Sequence, residues 1–168
     1  SCLVGSEMCI RDRVAMGSEQ GETSKTTSLK PVVTNTTTSL ASTSHPGSLV
    51  WVLDPDGSTR KALKQHFERI NWKCLAFQNH QQLDDILEET TPDILVLEQQ
   101  LHERTGNDVI RLLRSSGHRF PVIILSTQAA QDDRIAGLEA GASDYIAKPF
   151  AIRELALRIE IHLTTSKG

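Results

Sequence analysis

Four polar residues in the sequence each follow directly on a short apolar segment. They are Asp54, Glu98, Ser126 and Lys148. Two carboxylates offer the hard oxygen ligands that Mg²⁺ prefers, while a hydroxyl and an ammonium group suit the oxygens of a phosphoryl group. If the fold gathers these four side chains, the chemistry that they suit is the metal-assisted handling of a phosphoryl group.

The segments that precede these residues belong to a regular alternation of two patterns. Short continuous apolar stretches indicate buried strands, and the amphipathic stretches between them indicate helices. Because helical crossovers join parallel neighbours, the alternation predicts an α/β fold with a parallel sheet covered on both faces, and a site at the carboxyl ends of the strands. The predicted strands are residues 49–53, 73–77, 94–97, 121–125 and 145–147, and the predicted helices are residues 58–70 (capped by Ser58 or Gly57), 80–89, 107–114, 132–140 (closed by Gly141) and 151–163.

Three segments carry a resemblance to a known family: residues 92–97 (PDILVL), Gly106, and residues 137–150 (GLEAGASDYIAKPF). With the order and spacing of the four polar residues, they resemble the receiver domain of two-component response regulators over nearly all of residues 49–163. The resemblance is closest to the winged-helix transcriptional regulators. It implies a flavodoxin-like (βα)5 three-layer sandwich with a parallel sheet in the order 2-1-3-4-5. It also implies a phosphorelay signalling module rather than an enzyme, with a histidine kinase or another signalling protein as partner.

The resemblance implies a set of metal ligands, and the sequence departs from that set. By position, Glu98 stands where receivers carry the aspartate that accepts the phosphoryl group, and Asp54, Glu98 and the backbone carbonyl of Gln100 would bind Mg²⁺. Receivers carry a second acidic residue directly after the first strand, whereas this sequence has Pro55, which has no carboxylate. We therefore expect magnesium binding to be weakened. The alternative is that Asp56, two residues after Asp54, substitutes for the missing carboxylate, although acidic residues at this position usually point elsewhere in the family.

The glutamate at position 98 leaves three interpretations open. A carboxylate can accept phosphate, but one extra methylene displaces the nucleophile by roughly a bond length, and misplacement on that scale can cost orders of magnitude in rate. Our main hypothesis is that Glu98 is not phosphorylated, reaches Lys148 or Ser126 instead, and imitates phosphate in a domain that works by protein contact. The alternatives are that Glu98 only fits the pocket and biases nothing, or that the domain still accepts phosphate.

The resemblance also assigns a switch and an output face. Ser126 and Lys148 would bind phosphoryl oxygens, Tyr145 would be the aromatic switch, and the peptide bond from Lys148 to Pro149 would be cis. The fourth helix, fifth strand and fifth helix would form a face that supports a symmetric homodimer, the alternative being a simply solvated charged surface. The residues of that face are Arg134, Asp144, Glu154 and Arg158.

Composition limits the remaining function classes. The net charge of -3 gives no global basic excess, so we expect that this chain binds no nucleic acid. No apolar run approaches the length of about 18 residues that spans a bilayer, so we expect a cytoplasmic protein without membrane contact. The resemblance to response regulators implies that the protein is bacterial. A flavodoxin-like enzyme or small-molecule binder is disfavoured because no glycine-rich phosphate loop follows Leu53.

Both ends of the chain are expected to lie outside the receiver domain. Residues 7–13 (EMCIRDR) resemble the translation of a sequencing adapter, so residues 1–15 are interpreted as an artefact. Residues 16–48 are rich in Ser and Thr and poor in large apolar side chains, which predicts a disordered tail. Residues 49–163 are the predicted receiver domain and residues 164–168 a short stub. Either a DNA-binding effector domain is missing after Gly168, or the domain works alone.

Overall fold

The computed structural model describes residues 45–167, which form one parallel sheet with helices on both faces. The strands are β1 (Leu49–Leu53), β2 (Lys73–Phe77), β3 (Ile94–Glu98), β4 (Val122–Ser126) and β5 (Asp144–Ala147), and the helices are α1 (Gly57–Arg69), α2 (His80–Leu87), α3 (Gly106–Ser115), α4 (Gln131–Ala140) and α5 (Ile152–Lys167). The strand order β2-β1-β3-β4-β5 confirms the predicted flavodoxin-like fold. Within that range, no helix has the length and apolar character needed to cross a bilayer.

The sheet separates two apolar cores because successive strand residues point to opposite faces. On one face, Val50 and Val52 pack with Phe67 of α1 and Leu155 of α5. On the other, Trp51 packs with apolar residues of α2, α3 and α4. Every residue of β3 and β4 is buried, as expected for strands covered on both sides, and this is why they stand out in the sequence as continuous apolar runs.

The first helix is capped by Asp56 and not, as predicted, by Ser58 or Gly57. Asp56 Oδ2 accepts hydrogen bonds from the hydroxyls of Thr59 and Ser58 at 2.5 and 2.8 Å, and from the backbone N–H of Thr59 at 3.0 Å. These bonds favour the charged carboxylate and lower the pKa of Asp56 to about 2. Asp56 is the cap because its carboxylate satisfies a free N–H group of the first turn, which a glycine has no side chain to do.

Both ends of the described chain extend the predicted domain. Ser48, expected to end the disordered tail, is buried, and His45 Nε2 lies 2.8 Å from Thr164 Oγ1. The last helix continues to Lys167 rather than ending at residue 163, since the Thr164 hydroxyl donates to a carbonyl one turn earlier and so remains satisfied within the helix. The interpretations of residues 1–15 and 16–44 concern parts of the chain that lie outside the described residues.

Gly141 confirms the predicted end of α4. Its φ of 115° is in the left-handed region, which glycine adopts without the steric penalty of a Cβ atom. A Cβ at this position would also lie 3.1 Å from the side chain of Arg114. The chain therefore turns sharply after α4 and passes close to Arg114 of α3 before it enters β5.

Candidate functional site

Three of the four polar residues singled out in the sequence meet at the carboxyl edge of the sheet. Lys148 follows β5, and its Nζ donates to Asp54 Oδ2 at 3.2 Å and to Glu98 Oε2. Asp54 follows β1 and Glu98 ends the neighbouring strand β3. The fourth residue, Ser126, ends β4 and is fully buried, and its hydroxyl accepts a hydrogen bond from the N–H of Gln128 at 2.9 Å.

Burial and charge together determine the state of Lys148, which precedes a cis peptide bond to Pro149 as the resemblance implied. The Asp54 and Glu98 side chains are 3% and 8% exposed, and the Lys148 side chain is 20% exposed. Burial disfavours the ammonium, but the hydrogen bond to Glu98 and the charge of Asp54 outweigh it, so the pKa of Lys148 is raised above its usual value. The pocket therefore holds one permanent positive charge between two carboxyl groups.

Backbone N–H groups hold the carboxylate oxygens that Lys148 does not contact. Asp54 Oδ1 accepts from the N–H of Asp56 at 2.8 Å, and Glu98 Oε1 accepts from the N–H of Gln100 at 2.8 Å. All four carboxylate oxygens of the pocket consequently have a hydrogen-bond donor. Buried carboxylates need such partners, and these two obtain them from the protein itself.

The residues as arranged offer few free ligands to a magnesium ion. Mg²⁺ requires free oxygen ligands in near-octahedral geometry, and the inner oxygens of Asp54 and Glu98 are bound to Lys148. Pro55 has no carboxylate to add, and Gln100 directs its N–H toward Glu98. Within residues 45–167, no group of three or more His, Cys, Asp or Glu side chains could hold a metal ion. The ligand set of Asp54, Glu98 and Gln100 stays a prediction.

Tyr145 in β5 is turned inward, into the core that includes α3 and α4. It is 4% exposed, and its hydroxyl donates to the carbonyl of Gln128 at 2.6 Å. Gly137 of α4 makes room for the ring, since a Cβ at Gly137 would lie 2.8 Å from Tyr145 Cδ2. The guanidinium of Arg134 lies 5.7 Å from the ring centroid and donates to the Tyr145 carbonyl at 3.3 Å. Contacts at the hydroxyl, the ring and the backbone therefore fix Tyr145.

Two glutamine side chains connect the loops that follow β3 and β4. Gln100 Nε2 donates to Gln128 Oε1 at 3.0 Å. Sequence reasoning named Gln100 only for its carbonyl and missed Gln128. A spacing signal was present, because Gln100 follows Glu98 by two residues and Gln128 follows Ser126 by two residues, at the ends of adjacent strands.

Arg60 of α1 is a further residue that sequence reasoning missed. Its Nη1 donates to the carbonyls of Asp54 at 2.6 Å and Pro55 at 2.9 Å. It thereby holds the loop that carries Asp54 against the first turn of α1. No sequence pattern separates Arg60 from the other charged residues of that helix, so its role follows only from the geometry.

The residues predicted for a dimer face lie on α4, β5 and α5, and we call this surface the α4–β5–α5 face. Arg158 contacts Asp144 Oδ2 and Glu154 Oε2, each at 3.1 Å and within the same chain. Burial raises the pKa of Asp144, but the N–H of Tyr145 and the Arg158 guanidinium outweigh this effect, so the pKa is lowered. Three of the predicted residues therefore form one cluster, while Arg134 lies against Tyr145.

Exposed apolar side chains occur on the same helices. Ile135 and Leu138 are three residues apart on α4, and Leu157 and Ile161 are four residues apart on α5, so each pair lies on one side of its helix. Their exposures range from 44% to 61%. The helices of the α4–β5–α5 face thus carry exposed apolar groups as well as ion pairs.

Comparison with known sequences agrees with the fold. Residues 50–160 match the family model described as response regulator receiver domain. The chain is 33% identical over 110 residues to response regulator MprA of Mycolicibacterium vanbaalenii, a match that covers 66% of this chain and 48% of the relative. It is 32% identical over 118 residues to response regulator MprA of Mycobacterium avium, with 70% and 52% covered. The chain therefore spans about half the length of the curated relatives that it matches.

Solved structures show the same architecture. The receiver domain of Francisella response regulator 1452 aligns with a TM-score of 0.69 at 27% identity, covering 71% of this chain and 99% of that chain. The BeF3-activated DrrB receiver domain aligns with a TM-score of 0.63 at 24% identity, covering 70% and 98%, and this likeness concerns the fold alone.

Proposed function

Because the chain belongs to the response regulator receiver domain family, we propose that it is a degenerate receiver, which is not phosphorylated at Glu98 and transmits its signal by protein–protein contact. Receiver domains are the signalling modules of two-component systems. The observation that carries the proposal is the buried contact between Lys148 and Glu98.

The contact occupies the group on which phosphorylation would depend. In the proposed assignment, Glu98 stands at the phosphoacceptor position at the end of β3. One of its oxygens accepts from Lys148 and the other from the N–H of Gln100, so attack on a phosphodonor would require at least one of these contacts to loosen. The side chain is also one methylene longer than aspartate. The nucleophilic oxygen is therefore displaced from the position that an aspartate carboxylate occupies in receiver domains.

Weakened magnesium binding is the second part of the proposal. Phosphoryl transfer relies on metal ions and fixed cations to neutralise the developing charge. Pro55 supplies no carboxylate, and the Asp56 carboxylate caps α1, so neither residue after Asp54 adds a ligand. In this pocket the Lys148 ammonium already balances part of the charge that a metal ion would neutralise.

The test is the intact mass of the protein after incubation with Mg²⁺ and acetyl phosphate. We expect no added phosphate on the natural sequence. A variant with both Pro55→Asp and Glu98→Asp restores a second carboxylate and the shorter nucleophile, and we expect it to gain one phosphoryl group. The two single variants are matched controls that separate the effect of the metal ligand from that of the acceptor.

The outcomes of this test separate three cases. Phosphate on the natural sequence that disappears in Glu98→Ala would show that the domain is an ordinary phosphoacceptor, and the proposal would fall. Phosphate on the double variant alone supports it. If the double variant stays unmodified although it binds Mg²⁺, the two substitutions do not account for the lost chemistry, and that explanation would be abandoned.

Imitation of phosphate by Glu98 also belongs to this proposal. Lys148 is engaged by the Glu98 carboxylate, and Tyr145 is turned inward, the position that the family resemblance associates with phosphorylation. These two observations support a domain held in an active-like state. We expect Glu98→Ala to release Lys148 from that contact and to increase the exposure of Tyr145, measured by the accessibility of its phenol to nitration.

An apolar groove beside the pocket supports contact with a signalling partner. The groove has a volume of about 460 Å³ and borders Lys148. Its apolar lining comes from α1 and from the segment that follows β5, through Leu63, Pro149, Phe150 and Ile152. Histidine kinases are the partners with which receiver domains interact, and we propose this groove as part of the contact with such a protein.

A second candidate function follows from the length of the relatives. The chain covers 48% and 52% of the two MprA proteins, and the alternative is that it forms the regulatory half of a longer response regulator. In this alternative, a DNA-binding domain follows residue 168 and Glu98 still accepts phosphate. Sequencing of the locus beyond the codon for Gly168 tests the first part: a continuing reading frame supports it and a stop codon excludes it.

The α4–β5–α5 face is the proposed surface for a symmetric homodimer. Arg134, Asp144, Glu154 and Arg158 supply its charges, and the exposed apolar residues of α4 and α5 supply area that a second copy could cover. Sedimentation at increasing protein concentration tests the dimer. Leu138→Glu should weaken self-association, whereas Leu112→Glu, an equally exposed leucine on α3, should leave it unchanged.

A further inference from the structure

A continuous path of hydrogen bonds leads from the buried pocket to Tyr145. Lys148 donates to one oxygen of Glu98, and the other oxygen accepts from the N–H of Gln100 at 2.8 Å. The side chain of Gln100 donates to Gln128 Oε1 at 3.0 Å. The carbonyl of Gln128 accepts from the Tyr145 hydroxyl at 2.6 Å. The path thereby joins five residues from β3, β5 and the loops that follow β3, β4 and β5.

Gln128 is the point at which this path meets the backbone of the loop after β4. Its N–H donates to Ser126 Oγ at 2.9 Å, its carbonyl accepts from Tyr145, and its side chain accepts from Gln100. The first two contacts fix the loop to its own strand and to β5. Only the third connects it to the loop that follows Glu98. The contact between the Gln100 and Gln128 side chains, which we call the amide bridge, is therefore the link between the two loops along this path.

We propose that Gln100 and Gln128 are positioning residues that couple the state of Glu98 to the inward position of Tyr145. When Glu98 releases the N–H of Gln100, the amide bridge loses its support, and the Gln128 carbonyl holds the Tyr145 hydroxyl less firmly. The coupling is reciprocal, so displacement of Tyr145 also weakens the hold of Gln100 on Glu98. The inference deepens the proposed function. It rests on that function in one respect, because it takes Tyr145 as the output residue.

The size of the coupling is limited by its weakest link. The amide bridge is solvent-exposed, and a neutral hydrogen bond contributes modestly to any equilibrium, so its loss should change the ratio of inward to outward Tyr145 by about 2- to 10-fold. The contacts that Arg134 and Gly137 make with Tyr145 do not belong to the path and should hold part of the population inward.

The experiment uses the single tyrosine of the chain as its reporter. Protein labelled with 3-fluorotyrosine gives one ¹⁹F resonance, whose position and splitting report the environment of the Tyr145 ring. The full chain is measured without a phosphodonor. Gln100→Ala and Gln128→Ala should shift the resonance toward the position found in Glu98→Ala. Gln81→Ala, at an exposed glutamine on α2, is the matched control and should leave it unchanged.

Three further variants distinguish coupling from loss of structure. Gln128→Glu keeps an acceptor for Gln100 Nε2 and should retain the wild-type resonance, whereas the double variant of Gln100→Glu and Gln128→Glu places two acceptors opposite each other and should behave like Gln100→Ala. The double variant of Glu98→Ala and Gln100→Ala should shift no further than the larger of its two single variants, because both substitutions interrupt the same path.

The proposal is overturned if Glu98→Ala moves the resonance while Gln100→Ala and Gln128→Ala do not, or if the effects of Glu98→Ala and Gln100→Ala simply add. These results are independent of the phosphorylation test. A natural sequence that accepts phosphate yet shows the coupled ¹⁹F shifts would remove the proposed degeneracy and keep the coupling, and the reverse result would do the opposite.

Discussion

The buried pocket and the α4–β5–α5 face both contain a basic residue held by two carboxylates, but in very different surroundings. In the pocket, Lys148 lies between Asp54 and Glu98, whose side chains are almost fully buried. On the face, Arg158 lies between Asp144 and Glu154, and both Arg158 and Glu154 are more than 40% exposed. The same charge pattern therefore has different energetic consequences, because water can replace a lost partner only at the surface.

The difference also separates two roles for charge. In the pocket, the ion pairs have the proposed role of disfavouring a metal ion and a phosphoryl group. On the face, ion pairs contribute little energy and mainly fix the orientation of a contact. Substitutions that remove one basic residue from each region should therefore differ greatly in their effect on folding.

The largest effect is expected for Lys148→Met. The substitution leaves two buried carboxylates without their shared cation, and we expect the free energy of unfolding at pH 7 to fall by about 3 kcal/mol. Urea denaturation followed by far-UV circular dichroism measures it. Lys61→Met, at an exposed lysine on α1, is the matched control and should change stability by less than about 0.5 kcal/mol.

The pH dependence of that difference provides an independent check. Because the pKa of Lys148 is raised in the folded protein, the stabilisation by its charge is fully present below the pKa of an unfolded lysine, about 10.4. It is lost as the pH rises through the higher folded value. The stability difference between the wild-type protein and Lys148→Met should therefore shrink above pH 10.4 or so. A constant difference would mean that packing, and not charge, dominates.

An intermediate loss of stability is expected for Gly137→Ala. Gly137 lies on α4 against the ring of Tyr145. The new Cβ would lie 2.8 Å from Tyr145 Cδ2, and overpacking of this kind costs about 1 to 3 kcal/mol, more than the helix propensity that alanine gains. Thermal unfolding should show a lower melting temperature.

Gly57→Ala in α1 is the control for the alanine substitution itself. Its Cβ would lie 3.4 Å from Arg60 Nη2, an ordinary van der Waals distance, so we expect an effect near zero or slightly stabilising. Equal destabilisation at both positions would show that the contact with Tyr145 does not limit position 137.

The smallest effect is expected for Arg158→Ala on the α4–β5–α5 face. Since the Arg158 side chain is 41% exposed, loss of both ion pairs should lower the free energy of unfolding by about 0.5 kcal/mol or less, and added salt should reduce that difference. Urea denaturation at low and high salt measures both quantities, with Arg153→Ala on the same helix as control. A loss comparable to that of Lys148→Met would remove the distinction between the two regions.

The fold was predictable because its main signal is local. β3 and β4 are buried throughout, so they are visible as uninterrupted apolar runs, and Gly141 marks the end of α4. The strand order came from the family resemblance, since apolar patterning alone does not determine which strands are neighbours. Helix ends were less predictable. Asp56 and Ser58 both carry an oxygen that could cap α1, and only the geometry selects Asp56.

The proximity of three candidate site residues was predictable, and the contacts around them were less so. Strand ends placed Asp54, Glu98 and Lys148 together, and the contact of Glu98 with Lys148 was one of the two predicted for it. The amide bridge was not predicted. The rotamers of exposed side chains such as Gln100 and Gln128 depend on neighbouring residues whose positions cannot be read from the sequence.

The contact between His45 and Thr164 brings together the two ends of the described domain. Because α5 advances by only about 1.5 Å per residue, its end at Lys167 remains within a short distance of the residues that enter β1. A linker of a few residues would therefore close the domain into a ring, and new termini could be opened in an exposed segment such as residues 88–91 without breaking the sheet. The architecture is thus suited to circular permutation.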